Sequence, residues 1–100
     1  MRKIIIESGA RNDIREICSY YDERSETAGD RLIDEVDDIL LKIWQAPTRF
    51  APIARDAPYR RVNLEVFPYQ IVYRVTPRQI RIVLVRHNKR HPNFEKDRLN

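Results

Sequence analysis

The hydrophobic period of this chain changes once, and that change limits the folds open to it. Up to Gln45 apolar residues recur every three or four positions; from Tyr59 onward they alternate. The first spacing paints one face of a helix and the second one face of a strand. Between them lie Pro47, which ends the helical part because the residue before a proline avoids helical backbone, and a loop at residues 48–58 containing Pro52 and Pro58. A helical half is therefore followed by a sheet half.

Ahead of the helical half, Ile4-Ile5-Ile6 is short, β-branched and apolar, and predicts a first strand buried on both faces. Ser8 offers a helix N-cap. Ala10, Ile14, Ile17, Cys18 and Tyr21 then share one helical face. Ser25-Glu26-Thr27 breaks this helix and starts another, whose apolar stripe is Ala28, Leu32, Val36, Ile39, Leu40 and Ile43. The break is so short that the two helices should form an antiparallel hairpin. Asp34, Glu35, Asp37 and Asp38 fall mostly off the stripe and read as a solvated face. Trp44 and Phe50 are placed to cap the core at the hairpin's end. Three strands follow, about Tyr59–Val66, Tyr69–Val75 and Gln79–His87, joined by the turns Phe67-Pro68 and Thr76-Pro77-Arg78. Short turns make these neighbours antiparallel. The expected fold class is α+β: an N-terminal strand, then an antiparallel helical hairpin packed on one face of a mainly antiparallel four-stranded sheet.

Length and composition agree with one domain over residues 1–100. Apolar residues make up 42% of the chain, enough for one modest core. A single cysteine, Cys18, excludes an internal disulfide and suits a reducing compartment. No run of 18 apolar residues occurs and the start does not resemble a signal peptide, so the expectation is a cytoplasmic protein with no membrane partner. Charge is divided unevenly. Residues 1–50 carry 8 basic and 11 acidic groups, residues 51–100 carry 11 basic and 4 acidic, so nets of −3 and +7 give the total of +4. A basic half implies a polyanionic partner, whether nucleic acid, a nucleic-acid enzyme or an acidic peptide.

Strand alternation predicts where that charge lies. Val62, Leu64 and Val66 share one face of the second strand; Ile71, Tyr73 and Val75 one of the third; Ile80, Ile82 and Leu84 one of the fourth. These apolar sets must meet the helices. Arg61 and Glu65, Arg74, and Arg81 and His87 then project from the opposite, open face, unless a β-bulge breaks the alternation. Guanidinium groups there would hold phosphate or carboxylate in a fork. Arg60 and Arg86 fall on the apolar parity at strand ends, where their heads can still reach water.

The stretch Tyr59-Arg60-Arg61-Val62-Asn63-Leu64-Glu65-Val66-Phe67-Pro68-Tyr69-Gln70-Ile71-Val72-Tyr73-Arg74-Val75 resembles the centre of RelE/ParE-superfamily toxins, an arginine-led strand, a turn, and an apolar-aromatic strand ending in Tyr-Arg. The segment after Val85, Arg86-His87-Asn88-Lys89-Arg90-His91-Pro92, is similar to the family's closing pattern of histidine, arginine and proline. Tyr20-Tyr21 in the first helix and Gly29 in the second also fit.

The resemblance implies the toxin of a type II toxin–antitoxin pair, silenced by a cognate antitoxin whose C-terminal segment wraps the toxin and folds as it binds. Members divide by target. RelE-like members cut mRNA on the ribosome, which needs a base, a phosphate clamp and an acid; here His87, Glu65, Arg61, Arg74 and Arg81 would be those groups. ParE-like members act on DNA gyrase and need no such geometry. Residues 43–88 contain no lysine and the aromatic residue of the tail is Phe94, which cannot exchange a proton, whereas RelE-like members usually carry lysines there and a C-terminal tyrosine. The ParE-like, plasmid-stabilisation side is the better fit. Its target surface would comprise Arg60, Arg61, Arg74, Arg86, His87, Lys89, Arg90 and Phe94. A decayed toxin acting only as a binding module is the third reading. No cofactor is expected, and no metal either, since His87 and His91 lack a third ligand. Cys18 reads as a small core residue. Of Tyr20 and Tyr21 only one can point inward, leaving the other for an antitoxin groove.

Overall fold

Ile4, Ile5 and Ile6 do form a strand, at the border of the sheet. The computed structural model describes residues 2–89. Its elements run β1 (Lys3–Ile6), α1 (Ser8–Asp22), α2 (Ala28–Gln45), β2 (Tyr59–Asn63), β3 (Tyr69–Val75) and β4 (Gln79–His87). The sheet order is β1-β4-β3-β2. β3 is antiparallel to both β2 and β4, while β1 joins β4 in parallel, and the long connection that a parallel pair requires runs through the helical hairpin, β2 and β3. As an edge strand β1 is half-buried, not enclosed on both faces as its composition predicted.

The helical stripe packs as its spacing demands. Leu32, Val36, Ile39 and Ile43 of α2 and Ala10 of α1 meet Val62, Ile71, Tyr73, Ile80, Ile82 and Val85 of the sheet. Leu32, Ile43, Ile71, Tyr73, Ile80 and Ile82 retain almost no exposure. Trp44 and Phe50 pack against this core from the hairpin's end, and the Trp44 indole N–H donates to the Arg2 carbonyl at 3.1 Å. α1 and α2 approach closely at Gly29, where a Cβ would overlap the Asp22 carboxylate. Glu7, not Ser8, is the N-cap of α1; Ser8 is already helical. Before α2 the Ser25 hydroxyl accepts from the Thr27 and Ala28 amides at 3.3 and 3.2 Å, giving that helix its polar start.

Two departures from simple alternation matter for function. First, β2 ends at Asn63, three residues early. Leu64 and Phe67 stay buried, but Val66 turns out to 64% exposure. The turn is gripped by Glu35 of α2, whose carboxylate accepts from the amides of Glu65 at 2.9 Å, Val66 at 3.1 Å and Phe67 at 3.3 Å. Glu35 is thus a structural anion and does not belong to the solvated face.

Second, β4 contains a bulge. Val72 pairs with Leu84 but Tyr73 pairs with Ile82, which leaves Val83 as an extra residue. Every residue beyond it changes face. Val85 enters the core in place of Leu84. Asp13 of α1 supports the bulge, its carboxylate accepting from the Val85 amide at 3.0 Å. The far edge of the sheet is partly covered, because Pro52 bridges to Arg60 and the Ile53 and Arg61 amides donate to Tyr59 and Ala51.

Candidate functional site

The sheet face away from the helices carries charge, though not the set that alternation alone predicts. Arg61 and Arg74 project from it and are exposed. Arg81 shares this face as the register partner of Arg74, but its guanidinium is engaged: Nε donates to Glu7 at 2.8 Å and a terminal nitrogen to Gln79 at 2.9 Å. The bulge brings Arg86 to this face as well. Its Nε donates to the Gln70 side-chain carbonyl at 2.6 Å, and the Gln70 amide donates to Asn63 at 2.9 Å, a polar chain across β4, β3 and β2. Between these groups Val72 and Leu84 are fully buried. What this face presents to solvent is therefore charge, chiefly Arg61 and Arg74, while the apolar residues between them are enclosed.

Arg60 faces the helices, as its parity predicted, and donates to the Phe50 carbonyl at 2.5 Å. Beside it the Tyr73 hydroxyl donates to the Pro47 carbonyl at 2.6 Å. Burial pushes the Tyr73 hydroxyl up to about 12, against a smaller downward pull from Arg60. Both residues fasten the loop after α2 to the sheet, so Arg60 is a structural arginine and not part of an open surface.

His87 is the main correction. Past the bulge it turns to the helix side, where it meets the Tyr69 ring edge-on at 5.3 Å, and Tyr69 approaches Tyr21 at 6.4 Å. Its Nδ1 accepts from the Lys89 amide at 3.1 Å, which places the proton of the neutral ring on Nε2. It lines a cleft of about 360 Å³ with Asp13, Glu16, Tyr20 and Tyr69. Glu65 is corrected too: it lies in the β2–β3 turn, off the sheet face. The five groups proposed for RNA cleavage thus divide between the open face, the turn and the helix-side cleft, and Arg81 is neutralised by Glu7. Lys89 is exposed at the end of the described chain; Arg90 and Phe94 lie outside the described residues.

Of the paired tyrosines, Tyr21 packs inward against Phe67 and Tyr20 stays 49% exposed, with Arg24 over its ring at 3.7 Å. Cys18 is half-buried, packed against the core and open to a groove between the helices. Burial and the neighbouring Asp22 carboxylate raise its thiol above the ordinary range. Among the described residues no group of three or more potential ligands could hold a metal ion, and no helix is long and apolar enough to cross a membrane.

Residues 4–92 match the family described as ParE toxin of type II toxin-antitoxin system, parDE. The chain is 37% identical over 93 residues to Toxin ParE2 of Mycobacterium tuberculosis, in strains CDC 1551 and H37Rv alike, with 92% of this chain and 87% of each relative covered. A solved structure titled chromosomal ParDE TA system from P. aeruginosa superposes with a TM-score of 0.66. It covers 87% of this chain and 96% of its own at 19% identity, a likeness of fold.

Proposed function

The chain belongs to the ParE toxin family of type II toxin–antitoxin systems, and from that premise we propose that it arrests growth by binding DNA gyrase through the open face of its sheet. In this reading residues 1–100 act as one toxin domain in the cytoplasm, silenced by the antitoxin of the pair. The observation that carries it is separation. An mRNA-cleaving centre needs its base, acid and phosphate clamp within hydrogen-bond reach of one phosphate. Here His87 and Glu65 sit apart from Arg61 and Arg74, and the intervening Arg81 guanidinium is taken by Glu7. A protein-binding surface carries no such requirement. The exposed guanidinium groups of Arg61 and Arg74 are what the acidic part of a large protein surface would meet.

The test is induction in a bacterial host without antitoxin. Wild type should stop growth without creating new mRNA 5′ ends in translated codons. Arg61→Ala and Arg74→Ala, singly and together, should weaken the arrest and leave the thermal transition unchanged, because both side chains are exposed. Full toxicity in both single variants would remove the open face from the mechanism.

A further inference from the structure

The open sheet face offers a partner charge but no apolar grip. Arg61 and Arg74 are exposed there, while Val72 and Leu84 are enclosed. Interface affinity is concentrated in a few well-packed anchors, whereas exposed charge mostly steers the encounter. An anchor for this face must then come from beside it. Among the described residues, the large apolar side chains that stand exposed are Tyr20, Leu41 and Val66. Tyr20 and Leu41 belong to the helices. Of the three, Val66 alone sits on the β2–β3 hairpin, whose strands carry Arg61 and Arg74.

A single exposed valine is ordinary on a protein surface. The loop beneath this one is not ordinary, because every backbone amide in it is bonded. Leu64 donates to the Tyr69 carbonyl at 2.8 Å, Tyr69 donates to Phe67 at 2.8 Å, and the Glu65, Val66 and Phe67 amides all reach the Glu35 carboxylate. Pro68 has no amide, and its carbonyl accepts from Asn88 at 3.0 Å. Leu64 and Phe67 point inward, and the Phe67 ring meets Tyr21 edge-on at 4.9 Å. The turn is thus fixed from α1, α2 and the end of β4, with Val66 left outside. A side chain held this way loses little freedom when a partner closes over it, so more of its burial appears as affinity.

We infer that Val66 is the apolar anchor of the target-binding surface, held ready by Glu35 as its positioning residue. The inference rests on the reading of the arginine face as that surface. It also describes the partner. Arg61 lies five residues back, at most about 18 Å along an extended chain. Glu65 is exposed next to Val66. The target must therefore offer an apolar recess whose near rim lacks carboxylates, with its acidic groups set further off toward Arg61 and Arg74.

The experiment uses the full chain carrying Val66→Asp, Val66→Ile or Leu41→Asp, all at exposed positions. Growth arrest is scored in a host without antitoxin, and affinities for purified gyrase and for purified antitoxin are measured by calorimetry. Val66→Asp should weaken gyrase binding about tenfold or more and lose growth arrest, with an unchanged thermal transition. Val66→Ile should keep both activities, and so should Leu41→Asp, the control for an exposed apolar residue elsewhere. Glu35→Ala should weaken gyrase binding about threefold in the wild-type background and not at all in Val66→Asp, a coupling that general loss of stability would not produce. A Val66→Asp toxin that arrests growth and binds gyrase like wild type would overturn the anchor. So would one that loses only antitoxin binding, since the tip would then belong to the antitoxin's footprint. If wild-type toxin fails to bind gyrase while Val66→Asp still loses growth arrest, the gyrase reading falls and the anchor stands for another protein target.

Discussion

Glu35 gives a test of the physical reasoning that sequence patterning could not supply. Its carboxylate receives three backbone amides, those of Glu65, Val66 and Phe67, between 2.9 and 3.3 Å. Glu35→Ala removes the acceptor and leaves these donors to water. A buried hydrogen bond to a charged group is worth about 1.5–3 kcal/mol. Here Glu65 and Val66 are exposed, and only Phe67 is enclosed, so water recovers much of the loss at two of the three. Allowing about 0.5 kcal/mol for each exposed amide and about 1 kcal/mol for Phe67 gives a cost near 2 kcal/mol. Urea unfolding at neutral pH should show that loss as a lower midpoint with an unchanged slope. Amide exchange at Val66 and Phe67 should accelerate by about tenfold or more. Asp34→Ala, on the same helix but exposed, is the control and should stay within about 0.5 kcal/mol of wild type. If Glu35→Ala matched that control and the turn amides exchanged as before, the clamp would have no energetic role.

Tyr73→Phe should cost about 1–2 kcal/mol, since it strands the Pro47 carbonyl beside a fully buried ring; thermal melts at neutral pH would measure it. The same hydroxyl predicts alkaline destabilisation. Its folded value of about 12 lies above the ordinary value of 10, so the folded state holds the proton longer. The stabilisation is whole below pH 10 and is lost as pH rises to about 12, a fall of about 2–3 kcal/mol that Tyr73→Phe should abolish. Leu32→Ala, at 1% exposure, should lose about 2–5 kcal/mol in urea unfolding. Removal of residues 89–100 should reduce growth arrest more than it lowers the unfolding midpoint; an unfolded product would make the tail structural.

Much of the fold was legible because burial imposes period. The stripe Leu32, Val36, Ile39, Ile43 and the alternation Ile71, Tyr73 meet in one core, and their elements fall within a residue or two of the expected limits. What was not legible arose from pairing between distant segments. β1 became an edge strand because it joined β4 in parallel, which its own three isoleucines do not encode. Glu35 looked like its acidic neighbours until the β2–β3 turn came to rest above it. The bulge left a trace that could have been read: in β4 the polar positions Gln79 and Arg81 are followed by Arg86, an odd interval that strict alternation forbids. The unbroken run Ile82-Val83-Leu84-Val85 concealed where the shift occurred. That one residue moved His87 to the helix side and Arg86 to the open face, exchanging two assignments that alternation had made the other way.

The central claim is a protein target reached through the arginine face. Its most direct test incubates purified toxin with purified gyrase and relaxed plasmid DNA and ATP, and scores supercoiling and cleaved DNA side by side. The expected result is loss of supercoiling with accumulation of gyrase-linked linear DNA, diminished by Arg61→Ala and Arg74→Ala and abolished by prior addition of antitoxin. Undisturbed supercoiling at toxin concentrations that stop growth, with mRNA cut in a parallel ribosome assay, would contradict it and return His87 and Glu65 to consideration as catalytic groups.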